Sequence, residues 1–390
     1  MGYRRAMPLI YLIAGEQSGD QLGARLMRAI LRRCPDATFA GIGGTAMAEQ
    51  GCASLFPMSD LSLMGFLEVL PRIRQLKRRI RETAADIGIR KPDAVVTIDS
   101  PGFTLRVLRA IAPLGIPRAH YVAPQAWAWR ERRVKHYPGL WERLLCLLPF
   151  EPAFFARHNL PATFVGHPVL ESGCDKGDGA RFRARHGIAP DARILIVMPG
   201  SRRTEITRLL PILRTTLDRL PEKVVPVVPL VGPVAQAVAA ATATWSTRPI
   251  LVTDTAEKHD AFAAADAALT KSGTSALELA LAGVPMVVFY RTNPLTAWIA
   301  RRLVLVKFAS LLNLLAGREI VPELIQDDAT PEKLLDELEK ILTTEGAAAQ
   351  RASFAAPLAM LRAPEGAPSD AAAAVVLDLI EQSARHHPRA

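Results

Sequence analysis

The strongest constraint on the fold of this 390-residue chain is an alternation of short apolar runs with amphipathic helical stretches. In the first half, the apolar runs predict six strands, at residues 9–14, 38–41, 94–99, 118–122, 144–148 and 163–165. The stretches between them predict helices at 21–33, 66–87, 105–112 and 152–158. Such alternation indicates a parallel sheet with helices on both faces.

The same alternation restarts after Pro168. Strands are predicted at 194–198, 224–229, 250–253, 267–270 and 286–289, a linker at 175–179 and a last amphipathic helix at 370–382. At this length two domains are expected. We therefore expect an α/β protein with two doubly wound, Rossmann-like domains facing one cleft. The expected division is 1–168, 169–346 and a helical tail, 347–390, which returns to the first domain or joins a partner subunit.

One strand-to-helix junction, residues 268–278, has the composition of a phosphate-binding turn. Free backbone N–H groups and hydroxyls at a helix start suit a diphosphate, aided by the positive end of the helix dipole. Glu278 follows Thr274 by four residues and points the same way, so its carboxylate could accept both hydroxyls of a ribose. The turn residues are Ser272, Gly273, Thr274 and Ser275. The alternative is an ordinary capped helix with a surface glutamate.

A second junction of this kind follows the predicted strand at 194–198. Its turn contains Gly200, Ser201 and Arg202, and an arginine can grip a phosphate with two hydrogen bonds. The alternative is a turn with solvated basic side chains. Two such turns at adjacent strand ends would open onto one crevice, the arrangement expected of a nucleotide-sugar site.

The charge of the chain is distributed unevenly. The first 168 residues carry 23 basic and 13 acidic residues, whereas residues 169–390 carry 25 of each. A basic half of this kind predicts an anionic substrate, an anionic membrane face or a nucleic acid as partner. Much of the surplus lies in two clusters, Arg72, Arg74, Lys77, Arg78, Arg79 and Arg81, and Arg130, Arg132, Arg133 and Lys135.

Cysteine and histidine usage predicts neither a disulfide framework nor a metal site. The four cysteines are scattered without a close pair, which favours a reducing compartment. No Asp-x-Asp pair occurs to hold a divalent ion between phosphates. We expect no cofactor and no metal. The apolar run at 8–14 is too short for a signal peptide, and either Met1 or Met7 could be the start. No apolar run is long enough for a transmembrane helix.

An ordered set of motifs resembles the lipid-A-disaccharide synthase family over nearly the whole chain. In the first half the motifs are Gly15-Glu16-Gln17-Ser18-Gly19-Asp20, residues 64–70, Asp99-Ser100-Pro101, residues 121–129, Leu148-Pro149-Phe150-Glu151 and Val165-Gly166-His167-Pro168. In the second half they are Pro199-Gly200-Ser201-Arg202, Ser272-Gly273-Thr274 with Glu278, and residues 313–319. Three positions depart from the family, which often has Asp at position 102, Asn at position 104 and Ser at position 14, where this chain has Gly102, Thr104 and Ala14.

The resemblance implies a two-domain, GT-B type glycosyltransferase. Such an enzyme transfers 2,3-diacylglucosamine from its UDP derivative to the 6-hydroxyl of 2,3-diacylglucosamine 1-phosphate, with inversion and release of UDP. An inverting transfer needs a general base for the acceptor hydroxyl. Asp99, at the end of an apolar strand, is the candidate base, although it could instead cap the next helix. Glu16 is its rival, while Asp20 is expected to cap a helix beginning at Gln21.

The resemblance also indicates further residues of the acceptor side and cleft. They are Glu16, Ser18, Gln125, Asn313, Arg318, Glu319 and Gln326. Trp127 and Trp129 could cover a sugar or belong to the core. Apolar residues at 58–70 precede the basic cluster at 72–81, which predicts peripheral attachment to an anionic membrane. The expected location is therefore the cytoplasmic face of the inner membrane, with a homodimer left open.

Three alternative functions are compatible with parts of this pattern. One is a UDP-sugar epimerase on the same scaffold, which would not need a basic acceptor face. Another is a GT-B enzyme acting on a polyprenyl-linked sugar, whose first loop would differ from residues 15–20. The third is a nucleic-acid-binding protein, but the sequence contains no zinc finger, aromatic RNA-binding strand or basic tail. We expect no nucleic-acid partner.

Overall fold

The computed structural model describes residues 7–61, 69–129, 131–200, 202–221, 223–230 and 234–386. The chain divides into two compact units. The N-terminal unit contains Met1–Pro168 and Leu361–Ala390, and the C-terminal unit contains Val169–Met360. The chain therefore leaves the first unit at Pro168 and returns to it for its last thirty residues.

The N-terminal unit is built on a six-stranded parallel sheet. Its strands are β1 (Leu9–Ala14), β2 (Thr38–Ile42), β3 (Ala94–Ile98), β4 (Arg118–Tyr121), β5 (Arg143–Cys146) and β6 (Ala162–Phe164), in the order β2-β1-β3-β4-β5-β6. Its helices are α1 (Gln17–Arg33), α2 (Thr45–Ala48), α3 (Val69–Arg90), α4 (Pro101–Ile111), α5 (Glu151–Ala156) and α15 (Pro368–His386). The strand order reverses between β1 and β3, where ligands bind in open α/β sheets.

Alternate residues of the inner strands in this sheet face two separate cores. Ile10 and Leu12 of β1 pack with residues of α1 and α15. Tyr11 and Ile13 pack on the opposite face with residues of α3, α4 and α5. Burial on both faces explains why the strands are continuous apolar runs rather than alternating ones.

The return of the chain to the N-terminal unit depends on Gly166. This residue has φ of +82°, and a methyl group on it would come within 2.6 Å of the Ala363 backbone nitrogen. The next residue, His167, donates its N–H to the Leu361 carbonyl at 2.8 Å. The Gly-His-Pro motif is therefore the point where the returning chain crosses the outgoing one.

The C-terminal unit contains the second six-stranded parallel sheet. Its strands are β7 (Arg193–Met198), β8 (Val224–Pro229), β9 (Ile250–Val252), β10 (Ala267–Thr270), β11 (Met286–Tyr290) and β12 (Glu323–Ile325), in the order β12-β11-β10-β7-β8-β9. Its helices are α6 (Gly179–His186), α7 (Arg203–Leu217), α8 (Ala235–Thr242), α9 (Thr255–Ala264), α10 (Thr274–Leu281), α11 (Pro294–Leu303), α12 (Leu311–Ala316), α13 (Pro331–Leu342) and α14 (Thr344–Met360). Here the order reverses between β7 and β10, as in a dinucleotide-binding fold.

The expected fold class, two parallel-sheet Rossmann-like domains, is confirmed. The predicted strands all occur, with ends that differ by at most two residues, whereas β12 was not predicted. Helix α1 begins four residues earlier than expected, so Asp20 lies inside it and the assignment of Asp20 as its N-cap is wrong. The buried Asp20 carboxylate instead accepts the N–H groups of Gly44, Ala46 and Met47 at 2.7–3.0 Å and caps α2.

Within the described ranges, no helix is long and apolar enough to cross a membrane.

Candidate functional site

The first candidate site lies at the carboxyl ends of β1 and β3, where the order of the N-terminal sheet reverses. Strand β1 ends at Ala14 and β3 at Ile98, and these two residues are register partners. A methyl group on Gly15 would come within 2.5 Å of Ser100 Oγ. A glycine at position 15 therefore lets the two loops touch, which brings Glu16 and Asp99 onto neighbouring loops at one edge of the sheet.

Asp99 and Ser100 both adopt left-handed backbone conformations, with φ of +48° and +46°. Each such residue costs about 1–2 kcal/mol unless it is glycine, and strain of this kind concentrates at functional sites. The surroundings hold the turn in place, because Asp99 N–H donates to the Tyr121 carbonyl (2.9 Å) and Thr104 Oγ1 donates to the Asp99 carbonyl (2.7 Å). Thr104, at the position where the family often has Asn, thus supports the Asp99 turn.

The other acceptor-side candidates of this unit lie at the surface. Glu16, Ser18 and Gln125 are exposed, and Glu16 is the residue that precedes α1. Ser100 Oγ is buried and has no hydrogen-bond partner among the residues that the structure describes.

Glu151 organises the loop that follows β4. Its buried carboxylate accepts the Trp127 indole N–H and the backbone N–H groups of Leu147 and Leu148, all at 2.9 Å. Trp127 also packs edge-on against Phe150, with ring centroids 4.9 Å apart. Burial raises the pKa of Glu151 to about 7, against the opposing effect of these three donors. Trp127 is thus held by a buried acid, while Trp129 is exposed.

The second candidate site lies where the order of the C-terminal sheet reverses, at the carboxyl ends of β7 and β10. Met198 and Thr270 are register partners at these ends. Gly200 follows with φ of +114°, and Arg202 precedes α7 with its side chain 69% exposed. The predicted residue Ser201 lies outside the described residues. The turn with Arg202 and the turn of residues 271–275 are therefore neighbours.

A buried ion pair joins these two turns. Glu205, 5% exposed, lies 3.3 Å from the Lys271 ammonium, which is 18% exposed. The other carboxylate oxygen accepts the Arg202 backbone N–H at 3.3 Å. A methyl group on Gly200 would come within 2.5 Å of that oxygen, so the turn needs glycine here. Glu205 thus fixes both the Arg202 turn and Lys271.

The turn after β10 is linked to the predicted cleft residue Asn313 through Glu323. Ser272 Oγ donates to the Ala309 carbonyl (2.6 Å), and Ala309 N–H donates to the Glu323 carboxylate (2.8 Å). The buried Asn313 amide donates to Glu323 (2.7 Å) and to the Val321 carbonyl (2.8 Å), and its oxygen accepts two backbone N–H groups. These four bonds saturate the amide, so Asn313 shapes the loop and has no group left for a ligand.

Glu278 lies one turn inside α10, as its spacing predicted. Its carboxylate is 3.2–3.3 Å from the Lys258 ammonium, and both side chains are largely buried. Thr274 is exposed at the start of the helix and Ser275 is half-buried. Gly273, with φ of +145°, precedes them.

The remaining cleft candidates separate into two groups. Arg318 and Glu319 are exposed beyond α12. Gln326, after β12, has a left-handed backbone (φ +58°), and its side-chain oxygen accepts the Thr292 N–H at 3.3 Å. In the described ranges, no cluster of three or more His, Cys, Asp or Glu side chains could hold a metal ion.

Sequence reasoning missed the three carboxylates that organise these loops, Glu151, Glu205 and Glu323. Glu151 ends one of the family motifs and Glu205 lies three residues beyond another, but nothing in the local sequence reveals their partners. The partner Lys271 of Glu205, for example, is 66 residues further along the chain.

The raised pKa of Glu151 predicts a specific pH dependence of stability. The unfolded chain ionises Glu151 near its ordinary value of 4.5, whereas the folded chain keeps it protonated up to about pH 7. Between these values the folded state binds more protons, so the free energy of unfolding should fall as pH rises, by roughly 3 kcal/mol. Denaturant titrations across this range, with Glu151→Gln as reference, measure the effect. A constant difference between the two proteins at every pH would contradict it.

The fold has close counterparts among solved structures. It matches the UDP-GlcNAc 2-epimerase of Methanocaldococcus jannaschii in complex with UDP-GlcNAc and UDP, with a TM-score of 0.61 and 12% identity, covering 95% of this chain and 99% of that one. It matches the calicheamicin glycosyltransferase CalG4 with a TM-score of 0.55 and 16% identity, covering 99% and 100%. At these identities the likeness establishes the fold and leaves the reaction open.

The sequence comparisons are more specific. The lipid-A-disaccharide synthase of Granulibacter bethesdensis is 55% identical over 390 residues, covering 96% of this chain and 99% of that protein. The family model of lipid-A-disaccharide synthetase matches residues 10–362, the part of the chain that holds every candidate residue named above. This chain belongs to the lipid-A-disaccharide synthase family.

Proposed function

We propose that the chain is an inverting glycosyltransferase that forms the lipid A disaccharide. It transfers 2,3-diacylglucosamine from UDP to the 6-hydroxyl of 2,3-diacylglucosamine 1-phosphate. The new bond joins that oxygen to the anomeric carbon, while the bond to UDP breaks with its electron pair on the β-phosphate oxygen. The observation that carries this proposal is family membership together with two polar turns, joined by an ion pair, where the C-terminal sheet reverses.

In this proposal residues 169–346 bind the UDP-sugar donor. The exposed Arg202 guanidinium and the N–H groups at the start of α10 stabilise the charge that develops on the leaving diphosphate. Glu278 accepts the ribose hydroxyls, with Lys258 holding its carboxylate in place. The other donor contacts are Gly200, Ser201, Ser272, Gly273, Thr274 and Ser275.

In the same proposal, residues 1–168 bind the acceptor sugar and supply the general base. Asp99, on its strained turn, takes the proton from the acceptor hydroxyl as that oxygen attacks. Glu16 on the neighbouring loop is the alternative base. The exposed Ser18, Gln125, Arg318 and Glu319 and the half-buried Gln326 contact substrate, whereas Asn313 acts indirectly by shaping its loop.

Exchange of the proposed base should remove turnover and spare donor binding. Asp99→Asn should lower kcat by about 10²–10⁴, the usual contribution of a general base, with UDP affinity unchanged. Arg202→Ala should instead weaken UDP binding at least several-fold, because a charged hydrogen bond contributes about 1.5–3 kcal/mol.

The assay combines UDP-diacylglucosamine with diacylglucosamine 1-phosphate and follows both UDP release and disaccharide, with calorimetry for UDP. Near wild-type turnover of folded Asp99→Asn would show that Asp99 is not the base and would leave Glu16 as the candidate. Conversion of the donor to an epimer without acceptor would instead identify the epimerase alternative.

Glu205 should act on donor binding through its two neighbours. Glu205→Gln keeps an acceptor for the Arg202 N–H but leaves Lys271 without its counter-charge, so the donor KM should rise while kcat changes little. The free energy of unfolding should also fall, by about 1–3 kcal/mol. The matched control is Glu332→Gln, which breaks an exposed pair with Arg219 (2.6 Å). An equal effect of the two exchanges on KM would argue against a positioning role.

The acylated substrates also require access to a membrane, and we propose that the chain attaches peripherally to the inner face of the inner membrane. The exposed face of α3 supports this, since Arg74, Lys77, Arg78 and Arg81 recur at helical spacing and are all exposed. Arg79 is not part of that face. It is paired with Asp60 and Glu82 and lies over the Phe56 ring at 4.3 Å. Phe66 and Leu67 and the side chain of Arg72 lie outside the described part of the chain.

Reversal of charge on this face should weaken binding to anionic vesicles. Arg78→Glu should lower the affinity for vesicles containing phosphatidylglycerol by about thirtyfold, because the reversal removes one attraction and adds one repulsion, each of about 1 kcal/mol. Arg28→Glu makes the same charge change on the exposed side of α1, on the opposite face of the sheet. Vesicle flotation at low and high salt measures both. Equal loss in the two variants, or equal binding to neutral vesicles, would contradict the proposal.

A further inference from the structure

The C-terminal unit contains a cavity of about 520 Å³ whose lining residues, apart from Gln326, have no role in the proposed reaction. It opens beyond the carboxyl ends of β11 and β12, between α7 and the start of α11. Its lining is Arg208, Arg291, Thr292, Pro294, Ala297, Trp298, Gln326 and Asp327. Both arginines are exposed, and within the described part of the chain neither has an ion-pair partner. Asp327 is the acidic member of this lining and makes other contacts.

An aromatic and aliphatic surface continues from one wall of the cavity. Trp298 is 51% exposed, and the Arg302 guanidinium lies 3.7 Å above its ring. Val304 and Leu305 follow at 45% and 60% exposure. A tryptophan beside basic side chains, with aliphatic residues next to it, is the combination found where proteins meet the headgroup region of a bilayer.

The charge of this segment matches an anionic partner. Residues 291–308 contain four basic residues and no acidic one, and no acidic residue occurs between Glu278 and Glu319. This surplus is local, because residues 169–390 as a whole carry equal numbers of basic and acidic residues. It belongs to a different unit from the basic face of α3.

We infer that this cavity is a docking site for the phosphate headgroup of an anionic membrane phospholipid. Arg208 and Arg291 bind the phosphate, since a guanidinium can donate two parallel hydrogen bonds to phosphate oxygens. Trp298 lies at the level of the headgroups, and Val304 and Leu305 contact the acyl region. The inference goes beyond the proposed reaction, because it gives the donor-binding unit its own contact with the membrane.

The test compares single charge reversals in the full-length chain. Arg208→Glu and Arg291→Glu should each weaken binding to vesicles of phosphatidylcholine mixed with phosphatidylglycerol by about thirtyfold, since each reversal removes one attraction and adds one repulsion of about a factor of five. Arg248→Glu is the control: it makes the same charge change at an exposed position before β9, at the amino edge of the same sheet. Binding of the control should remain close to that of the parent.

Three further measurements separate the inference from its alternatives. The reversals are repeated in the Arg78→Glu background, where the losses should add if the two surfaces act independently. UDP affinity, measured by calorimetry, should be unchanged in Arg291→Glu. Leu305→Ser should reduce the binding that survives high salt. The inference would be overturned if the reversals lowered vesicle affinity no more than Arg248→Glu does in both backgrounds. It would also be overturned if Arg291→Glu weakened UDP binding, because the cavity would then belong to the donor site. Neither result would bear on the proposed reaction, which Asp99→Asn tests, or on the basic face of α3, which Arg78→Glu tests.

Discussion

The pairing of β1 with β3 and of β7 with β10 is the constraint on which both candidate sites depend. In each sheet these strands are neighbours although other elements separate them in sequence, because the order of the sheet reverses between them. Loops that leave two such strands diverge to opposite faces and leave a crevice at the sheet edge. The ladder bonds thereby bring Gly15 next to Ser100, and the Arg202 turn next to Lys271.

Four carboxylates hold these loops in position, three of them buried and that of Glu323 half-buried. Asp20, Glu151, Glu205 and Glu323 each accept one or more backbone N–H groups from loops at the carboxyl edge of a sheet. Removing a carboxylate from water is costly, and hydrogen bonds or an ion pair must offset that cost. At Glu151 the donors offset it only in part, and burial still raises the pKa to about 7. At Glu205 the Lys271 ammonium supplies the opposite charge. Such groups favour one loop geometry, as a site that must orient a diphosphate requires.

The fold and the family supply different information about function. A UDP-GlcNAc 2-epimerase and the calicheamicin glycosyltransferase CalG4 share this two-domain architecture at 12–16% identity, so the arrangement of strands and helices does not identify the reaction. The family match identifies the reaction, because it extends over residues 10–362 and includes the turns at both sheet edges. What distinguishes a lipid-handling member is expected in its surfaces, where the exposed basic face of α3 and the Arg208–Arg291 cavity both suit an anionic membrane.

The two parallel sheets, almost every strand, and the positions of Asp99, Arg202 and Glu278 at strand ends and helix starts could be predicted from the sequence. These features are predictable because apolar runs, turn residues and helical spacing are local properties. The partners of the buried polar groups follow only from the tertiary structure. Nothing near Asp20 predicts that it caps α2 rather than α1, and nothing near Asn313 predicts that its amide is saturated by Glu323 and the backbone around Val321. Nor does the local sequence separate Arg79, which pairs with Asp60, from the exposed arginines beside it. Hydrogen bonds and ion pairs between segments far apart in the chain depend on which loops the sheet order brings together, and the sheet order is a property of the whole fold.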